Sequence, residues 1–244
     1  DPPEHGSLST ISGHSLTFTP PDPDWNDVTS FTFKANDNET NVAPNNLDSN
    51  TATVSITVDP VNDAPLFNLS GDVTLEEDFS GTQQVTVTPE AVPSDESAQT
   101  VTYSLAPATV DFAAVMIDSS TGQVSISSVA NLHGSQVFTV TAKDGQSAND
   151  TASQTFTLTV AATNDEPVAN NQSVSMGENA AVQIILSASD VDGDLLTYSI
   201  VTGSSEGTAS LSGAVVTYSP TLDQHGTDSF TLKVTEIDGD SNMA

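Results

Sequence analysis

The chain has no cysteine and no arginine, and Lys34, Lys143 and Lys233 are its only lysines among 244 residues. Against them stand 33 acidic residues, so the formal net charge is −30. Nucleic acid and anionic membrane surfaces, which are bound through Lys and Arg, are therefore disfavoured as partners. Because no disulfide can form, any domain must hold itself together through its own core.

Long apolar runs and aromatic side chains are also scarce. No stretch approaches the 18 or so consecutive apolar residues of a membrane-spanning helix, so no membrane insertion is predicted. Aromatic residues make up 5% of the chain and apolar residues 36%, which predicts several small cores. An acidic composition is also typical of disorder. The strand patterns that run through nearly the whole sequence argue against disorder here.

Short runs of alternating apolar and polar residues are what the chain does contain. Threonine is the usual outward residue, as suits a β-branched side chain on a half-solvated sheet face. The clearest runs are 31–35, 54–58, 85–87, 138–142, 156–160 and 230–234. Many short strands separated by Gly, Asn, Asp and Pro predict an all-β chain of tandem Greek-key β-sandwich domains.

The same unit recurs along the chain. Phe31, Phe138 and Phe230 begin equivalent strands, and the end of an apolar strand followed by Asn-Asp occurs at Asn62-Asp63 and again at Asn164-Asp165. Self-similarity of this kind is typical of a repeat array. We predict the C-terminal half of a sandwich at 1–60, a complete sandwich at 61–163 and one lacking its last strand at 164–244.

Two interpretations of the incomplete outer units remain open. The chain is a fragment cut inside two domains, or its ends complement each other between chains by adding a strand to an open edge. We expect a monomer whose main contacts are between neighbouring repeats of the same chain.

Clustered carboxylates are the sequence feature that most clearly indicates a function. Asp190, Asp192 and Asp194 alternate around Gly193, and they repel one another unless a cation lies among them. An EF-hand is excluded because its glycine and its bidentate Glu would fall at the wrong positions. A plain polar turn remains the alternative.

Two further acidic segments are expected near this loop. One is Glu236, Asp238 and Asp240, after the Phe230 strand, and the other is the linker Asn164, Asp165 and Glu166. In a sandwich, the ends of these segments could meet at one joint. Carboxylate and amide oxygens are the ligands that Ca²⁺ takes, six to eight at a time. We therefore predict calcium at the joint.

These motifs resemble those of the cadherin family, and more closely the cadherin-like and Ig-like tandem repeats of large bacterial surface adhesins of the RTX type. The segment 59–65 is similar to the cadherin linker, and Asp190 and Asp192 to the cadherin D-x-D segment. The resemblance implies that Glu77 reaches the second joint from the preceding unit. It also implies a first joint built from Asp59, Asn62, Asp63, Asp95, Glu96 and Asp144.

Departures from the family pattern make the two joints unequal. The middle unit has Ser97 and Gln99 where the third has Asp192 and Asp194, and without arginine the cadherin D-R-E element has no match. The first joint is therefore expected to bind calcium more weakly, or with fewer ions, and to be the more flexible of the two.

The function predicted from these features is that of calcium-stiffened extender repeats in a secreted or cell-surface adhesin, holding a distal binding module away from the cell. Other domains of such a protein could contact cell-surface or matrix molecules. The alternative is a carbohydrate- or protein-binding accessory module of a secreted enzyme. Trp25, in a Pro- and Asp-rich loop of the first unit, is expected to pack as a lid on a hairpin rather than to anchor a partner. No nucleophile, base and orienting residue converge in the sequence, so an enzyme is not predicted.

Overall fold

Strands and turns dominate the structure, as the alternating runs predict. The computed structural model describes residues 1–37, 47–236 and 241–243, the last three as backbone. Within these ranges the only helical segment is a single 3₁₀ turn at Ser94–Glu96. None of the described helical structure is long and apolar enough to cross a membrane.

The first unit consists of two separate hairpins. Its strands are β1 (Ser7–Leu8), β2 (Phe18–Thr19), β3 (Asp27–Phe33) and β4 (Ala52–Val58). β3 and β4 are antiparallel, with Phe31 opposite Val54. Trp25 is half-buried, with its ring 6.1 Å from that of Phe18 and 5.9 Å from that of His5. Trp25 therefore covers the β1–β2 hairpin, which leaves less of its ring for an anchor.

The middle unit folds into a β-sandwich. Its strands are β5 (Phe67–Leu69), β6 (Val73–Glu76), β7 (Gln83–Val85), β8 (Val87–Pro89), β9 (Thr102–Ala106), β10 (Ala113–Ile117), β11 (Val124–Ser128), β12 (Gly134–Lys143) and β13 (Thr151–Ala161). One sheet has the order β6-β13-β12-β9 and another β10-β11-β7. Phe138 and Phe156 lie between the sheets, fully buried, with ring centroids 5.3 Å apart. The inward face of each alternating run thus forms one continuous core.

The run at 85–87 is not one strand, as its pattern predicts, but two. β7 ends at Val85 and pairs with β11, whereas β8 begins at Val87 and pairs with β5. Between them, the Thr86 N–H donates to Ser70 Oγ at 3.1 Å. The chain changes partners at this residue, and an alternating pattern cannot reveal a change of partner.

The turn between β10 and β11 spans Asp118–Gly122. The side-chain and backbone hydrogen bonds from Ser120 hold the pKa of Asp118 at about 2. Gly122 has φ +74°, and a Cβ there would lie 2.8 Å from Val87 Cγ2 and 2.9 Å from Tyr103 Cγ. Only glycine fits this turn without displacing the core.

The third unit has fewer buried side chains. Its strands are β14 (Val168–Ala169), β15 (Val182–Ile185), β16 (Ala188–Ser189), β17 (Leu196–Thr202), β18 (Gly207–Ser212), β19 (Val215–Pro220), β20 (Thr231–Glu236) and β21 (Ser241–Met243). The sheets are β15-β19-β18 and β17-β20-β21. β20 occupies the place of β12, but β21 pairs only with Lys233–Thr235.

Asp228 ties the third unit together at the end of the sandwich opposite the acidic loop. Its carboxylate accepts hydrogen bonds from the Ser205 and Glu206 N–H groups, both at 3.0 Å, and from the Tyr218 hydroxyl at 2.8 Å. Burial acts to raise the pKa of Asp228, but these hydrogen bonds outweigh it and hold the pKa well below its usual range. The charged form is therefore the one that the fold stabilises.

We expect Asp228→Asn to lower the melting temperature of the third unit, because an amide N–H would face the Glu206 N–H. A depressed pKa contributes stability that is fully present above the ordinary Asp pKa of about 3.9 and is lost progressively as the pH falls from there towards the lower pKa of the folded state. The difference between variant and wild type should accordingly shrink from pH 6 towards pH 2, as followed by thermal unfolding. Asp111→Asn, at an exposed carboxylate without a described hydrogen bond, is the control. A difference that did not shrink between pH 6 and pH 2 would contradict the assignment.

Candidate cation sites at the two joints

The second joint brings the linker after β13 against two acidic segments of the third unit. The Asp165 N–H donates to Asp192 Oδ2 at 2.8 Å, and Asn164 Nδ2 donates to Glu236 Oε2 at 2.6 Å. Glu236 is the last residue of β20, and Asp192 lies in the loop between β16 and β17. The sandwich topology delivers both groups to the end of the unit where the linker enters.

The loop itself gathers three carboxylates. Oxygen atoms of Asp190, Asp192 and Asp194 all lie within 4.8 Å of one another. The Asp194 N–H donates to Asp190 Oδ1 at 2.9 Å, which folds the loop back on itself. Gly193 makes the turn with φ +80°. The predicted clustering of the alternating aspartates is thus present in the structure.

Glu77 approaches the same joint from the middle unit. Its side chain is buried, and Oε1 accepts a hydrogen bond from the Thr163 N–H at 2.8 Å. The Glu77 N–H donates to Ala161 O at 2.8 Å, at the end of β13. Glu77 therefore fixes the linker to the unit that precedes it, in the place that the family resemblance implies.

Asp78 also belongs to this joint, and the sequence reasoning missed it. It has φ +56° and accepts a hydrogen bond from the Asn131 N–H at 3.0 Å. Its charge also raises the pKa of Asp165. The sequence shows that Asp78 directly follows Glu77, but it does not show the turn that orients the Asp78 side chain.

Electrostatic repulsion at the second joint is strong. Burial, and then the charges of Asp78, Asp192, Glu77 and Asp190, raise the pKa of Asp165. The hydrogen bond from Asn164 acts to lower the pKa of Glu236, but burial and the facing Asp190 raise it overall. The Asp194 N–H meanwhile holds the pKa of Asp190 below its usual range. Like charges this close favour a bound positive charge or proton.

Three buried carboxylate oxygens at this joint have no hydrogen-bond partner among the described residues. They are Asp165 Oδ2, Asp190 Oδ2 and Glu236 Oε1. Asp190 and Glu236 face each other, and when both are ionised neither has a proton to donate. A buried acceptor without a donor is costly, and such groups in native proteins usually have a partner. The donor set, all oxygen and mostly anionic, is the set that suits a hard divalent cation.

Some predicted ligands do not join the cluster. Glu166 is exposed, and within the described residues its side chain makes no hydrogen bond or ion pair. Asp238 and Asp240 lie outside the described residues. The contacts of the second joint therefore come from the linker, the 190–194 loop, Glu236 and the Glu77-Asp78 pair.

The first joint is built around the side-chain amide of Asn62. Its Nδ2 lies 3.0 Å from Asp144 Oδ2 and from Ala148 O, and 3.1 Å from Asn149 O. Its Oδ1 accepts a hydrogen bond from Gln99 Nε2 at 2.8 Å. Amide N–H groups thus lie where the oxygens of this joint converge.

Glu96 takes the part that Asp192 has in the second joint. It is buried in the 3₁₀ turn, and its Oε1 accepts the Asp63 N–H at 2.5 Å. Alignment of the middle and third units by sequence position places Ser97 where the third unit has Asp192. The Ser97 hydroxyl instead donates to Ser94 O at 2.8 Å. The 3₁₀ turn shifts the carboxylate by one position, which sequence alignment alone does not show.

The other predicted ligands of the first joint lie apart from this network. Asp59 and Asp95 are exposed and make no hydrogen bond or ion pair within the described residues. Lys143, by contrast, pairs with Asp150 at 3.0 Å beside the joint. None of the described buried oxygens of Glu96 and Asp144 is without a partner. The first joint therefore satisfies its buried polar groups by itself, whereas the second does not.

Comparison with known proteins gives the fold its context. Residues 164–244 match the family model of the bacterial Ig domain, and no curated protein matches the chain at a significant level.

Among solved structures, protocadherin gamma B2 extracellular cadherin domains 1–5 is 17% identical with a TM-score of 0.52, covering 98% of this chain and 51% of that one. PcdhgB3 EC1–4 is 15% identical with a TM-score of 0.50, covering 100% and 64%. Mouse cadherin-23 EC22–24 is 18% identical with a TM-score of 0.48, covering 98% and 80%.

The chain thus spans about half to two thirds of the length of the two protocadherin structures. At this level of identity the likeness shows the fold, a cadherin-like or Ig-like β-sandwich repeat. The predicted resemblance is confirmed to that extent, and the RTX-type adhesin remains a prediction.

Proposed function

We propose that the chain is a set of extender repeats from a secreted or cell-surface adhesin, stiffened by calcium at the second joint. The observation that carries the proposal is the group of three buried carboxylate oxygens, on the linker, the acidic loop and β20, that have no hydrogen-bond donor among the described residues. The three oxygens belong to segments whose relative positions must be fixed if the joint is to be stiff. A cation held by all three would fix those positions.

Ca²⁺ fits the residues present at this joint. Asp190, Asp192, Asp194, Glu236 and Asp165 would hold it from the third unit and the linker, and Glu77 and Asp78 would add negative charge from the middle unit. When bound, calcium supplies a compact double positive charge that accepts six to eight oxygen ligands. Dissociation constants of extracellular calcium modules, on the order of 10⁻⁴–10⁻³ M, would keep such a site filled outside cells.

The protein's own groups supply the mechanical connection. Glu77 fixes the linker to the middle unit through the Thr163 N–H, and Asp192 fixes it to the third unit through the Asp165 N–H. Both contacts place carboxylates near one another, so repulsion opposes them until a cation is present. Calcium would therefore convert a strained joint into a stiff one without any change of fold.

The first joint supports a different version of the same role. Its amide network supplies N–H donors where the second joint has open oxygens. The expectation of weaker calcium binding at this joint stands as a proposal. Weaker binding need not make the joint looser, because its hydrogen bonds already connect the linker to the 94–99 segment and to the loop between β12 and β13.

Small-angle scattering of the 244-residue protein with calcium and with excess chelator tests the proposal. We expect the maximum dimension to be larger and better defined with calcium, and the melting temperature to be higher. Magnesium at the same concentration is the control, because it requires a smaller and more regular shell. Equal dimensions and equal melting temperatures in calcium and chelator would refute the proposed function.

A further inference from the structure

Two Asp-Gly pairs of the described residues lie at the two joints. They are Asp144-Gly145, in the loop between β12 and β13, and Asp192-Gly193, in the loop between β16 and β17. Their glycines are alike: φ is +85° at Gly145 and +80° at Gly193, and a Cβ added at either would have nothing within 4 Å. The third Asp-Gly pair of the sequence, at 238–239, lies outside the described residues.

The two aspartates, by contrast, are held very differently. Asp144 is 6% exposed, and its Oδ1 accepts the Gln146 N–H at 2.9 Å while its Oδ2 accepts the Asn62 amide at 3.0 Å. Asp192 is exposed, and within the described residues its carboxylate accepts one hydrogen bond, from the Asp165 N–H to Oδ2 at 2.8 Å. The Asp144 carboxylate is therefore fixed through both oxygens and the Asp192 carboxylate through one.

We propose that Asp192 is a site of spontaneous isomerisation to isoaspartate, and that its contacts protect Asp144 from the same reaction. A following glycine favours the reaction because no Cβ obstructs the approach of the glycine nitrogen to the aspartate carboxyl group. The approach also requires a carboxyl group that is free to turn towards that nitrogen. Both pairs meet the first condition, and Asp192 alone meets the second.

The reaction needs only water. The Gly193 nitrogen attacks Cγ of Asp192, so that the N–Cγ bond forms and one Cγ–O bond breaks. The oxygen leaves as water with the amide proton and one proton from solvent, and a cyclic imide remains. Water then opens the imide and one proton returns to solvent. Attack at Cγ restores aspartate, whereas attack at the main-chain carbonyl carbon gives isoaspartate, with Cβ and Cγ in the main chain.

Charges around the second joint favour the opening of the loop that this attack requires. The Gly193 N–H donates to the Asp190 carboxylate, so its nitrogen is engaged while the loop is closed. Oxygen atoms of Asp190, Asp192 and Asp194 lie within 4.8 Å of one another, and like charges at this distance repel. Without a cation, repulsion therefore acts against the closed loop.

The consequence for the joint rests on the proposed function. Isoaspartate lengthens the main chain and carries its carboxylate directly on Cα, which removes Asp192 from the cluster of three. Calcium that holds the loop closed would slow the reaction, and a chain that has already reacted would bind calcium less well. A period without calcium would thus damage the second joint permanently and leave the first intact.

Incubation of the 244-residue protein with chelator, in neutral buffer made with heavy-oxygen water, tests the proposal. A protease that cleaves before aspartate but not before isoaspartate, followed by mass spectrometry, measures both positions in one sample. We expect at least about tenfold more isoaspartate at Asp192 than at Asp144, which corresponds to about 1.4 kcal/mol in activation free energy. Each isoaspartate should carry heavy oxygen from the opening of the imide. Equal amounts at the two positions, or isoaspartate without heavy oxygen, would overturn the proposal.

Two variants separate the glycine from the carboxylate contacts. Gly193→Ala should slow the reaction at Asp192, because the added Cβ obstructs the nitrogen. Asn62→Ala removes the donor to Asp144 Oδ2 and should raise isoaspartate at Asp144 while leaving Asp192 unchanged. An Asp144 that stayed unreactive in Asn62→Ala would contradict protection by this contact.

Repeating the incubation with calcium distinguishes the modification site from the proposed function. We expect calcium to slow the reaction at Asp192 and to leave Asp144 as it was. If Asp192 reacted equally fast in calcium and in chelator and still faster than Asp144, the modification site would be supported and the calcium-held loop contradicted.

Discussion

Replacing both Asp190 and Asp192 by asparagine is expected to remove most of the calcium-dependent stabilisation of the chain. Asn keeps an oxygen to accept the Asp194 and Asp165 N–H groups, so the loop and the linker keep their hydrogen bonds. What is lost is the charge that the cation needs. In the wild type, calcium at a hundredfold excess over its dissociation constant should add roughly 2.7 kcal/mol.

Calorimetric titration and thermal unfolding, each with calcium and with chelator, measure this difference. Asp59→Asn combined with Asp95→Asn is the matched control, because it removes the same charge from two exposed positions at the first joint. The control should respond to calcium like the wild type. If the control lost the response and the Asp190/Asp192 variant kept it, calcium would have to act at the first joint.

The variant should also be more stable than the wild type in chelator. Two like charges are gone from a site where burial and facing carboxylates raise the pKa values of Asp165 and Glu236. A cation site without its ion carries this repulsion as a cost. Loss of stability in both calcium and chelator would instead indicate that the two aspartates act only through the loop conformation.

The second prediction is that Gln99→Glu makes the first joint dependent on a cation. The substitution replaces the amide that donates to Asn62 Oδ1 by a carboxylate that faces it. Without calcium, the unpaired acceptors should cost about 1–3 kcal/mol, the usual range for a lost buried hydrogen bond. With calcium, the new carboxylate at position 99, together with Glu96 and Asp144, would offer the oxygen ligands that the amide now excludes.

The clearest design places Gln99→Glu in the background of Asp190→Asn and Asp192→Asn, where the second joint no longer responds. We expect a calcium response to return there, both in melting temperature and in hydrogen exchange at residues 60–66 and 94–99. Gln154→Glu, at an exposed position on β13, makes the same charge change away from the joint and should restore nothing. If the two Gln→Glu variants responded alike, the effect would be one of total charge and not of the first joint.

The sequence predicted some parts of the joints better than others. The 190–194 loop was found because alternating carboxylates next to a strand end leave a pattern that can be read directly, whereas Glu77 was implied only by the resemblance to cadherins. Asp78 and the exchange of Ser97 for Glu96 were not found, because a positive φ and a 3₁₀ turn decide where those side chains point. Asp59, Asp95 and Glu166 have the right residue type, but the chain directs them to solvent.

The difference between the two joints shows most clearly what the sequence alone cannot predict. Counting carboxylates leads to the expectation of a first joint that is weaker and therefore looser. The structure shows Asn62 and Gln99 donating N–H groups into the place where the oxygens converge. Residue counts measure charge, whereas the stiffness of a joint depends on whether each buried acceptor has a donor.

By itself the sequence determined the class of fold, the repetition of the unit and the end of each unit where acidic residues gather. Alternation with a period of two fixes which side chains face inwards, and strand connections fix which loops share an end. Only the tertiary structure decided which carboxylates face one another and which are already satisfied by amides. The partners lie far apart in sequence, so only packing decides which of them meet.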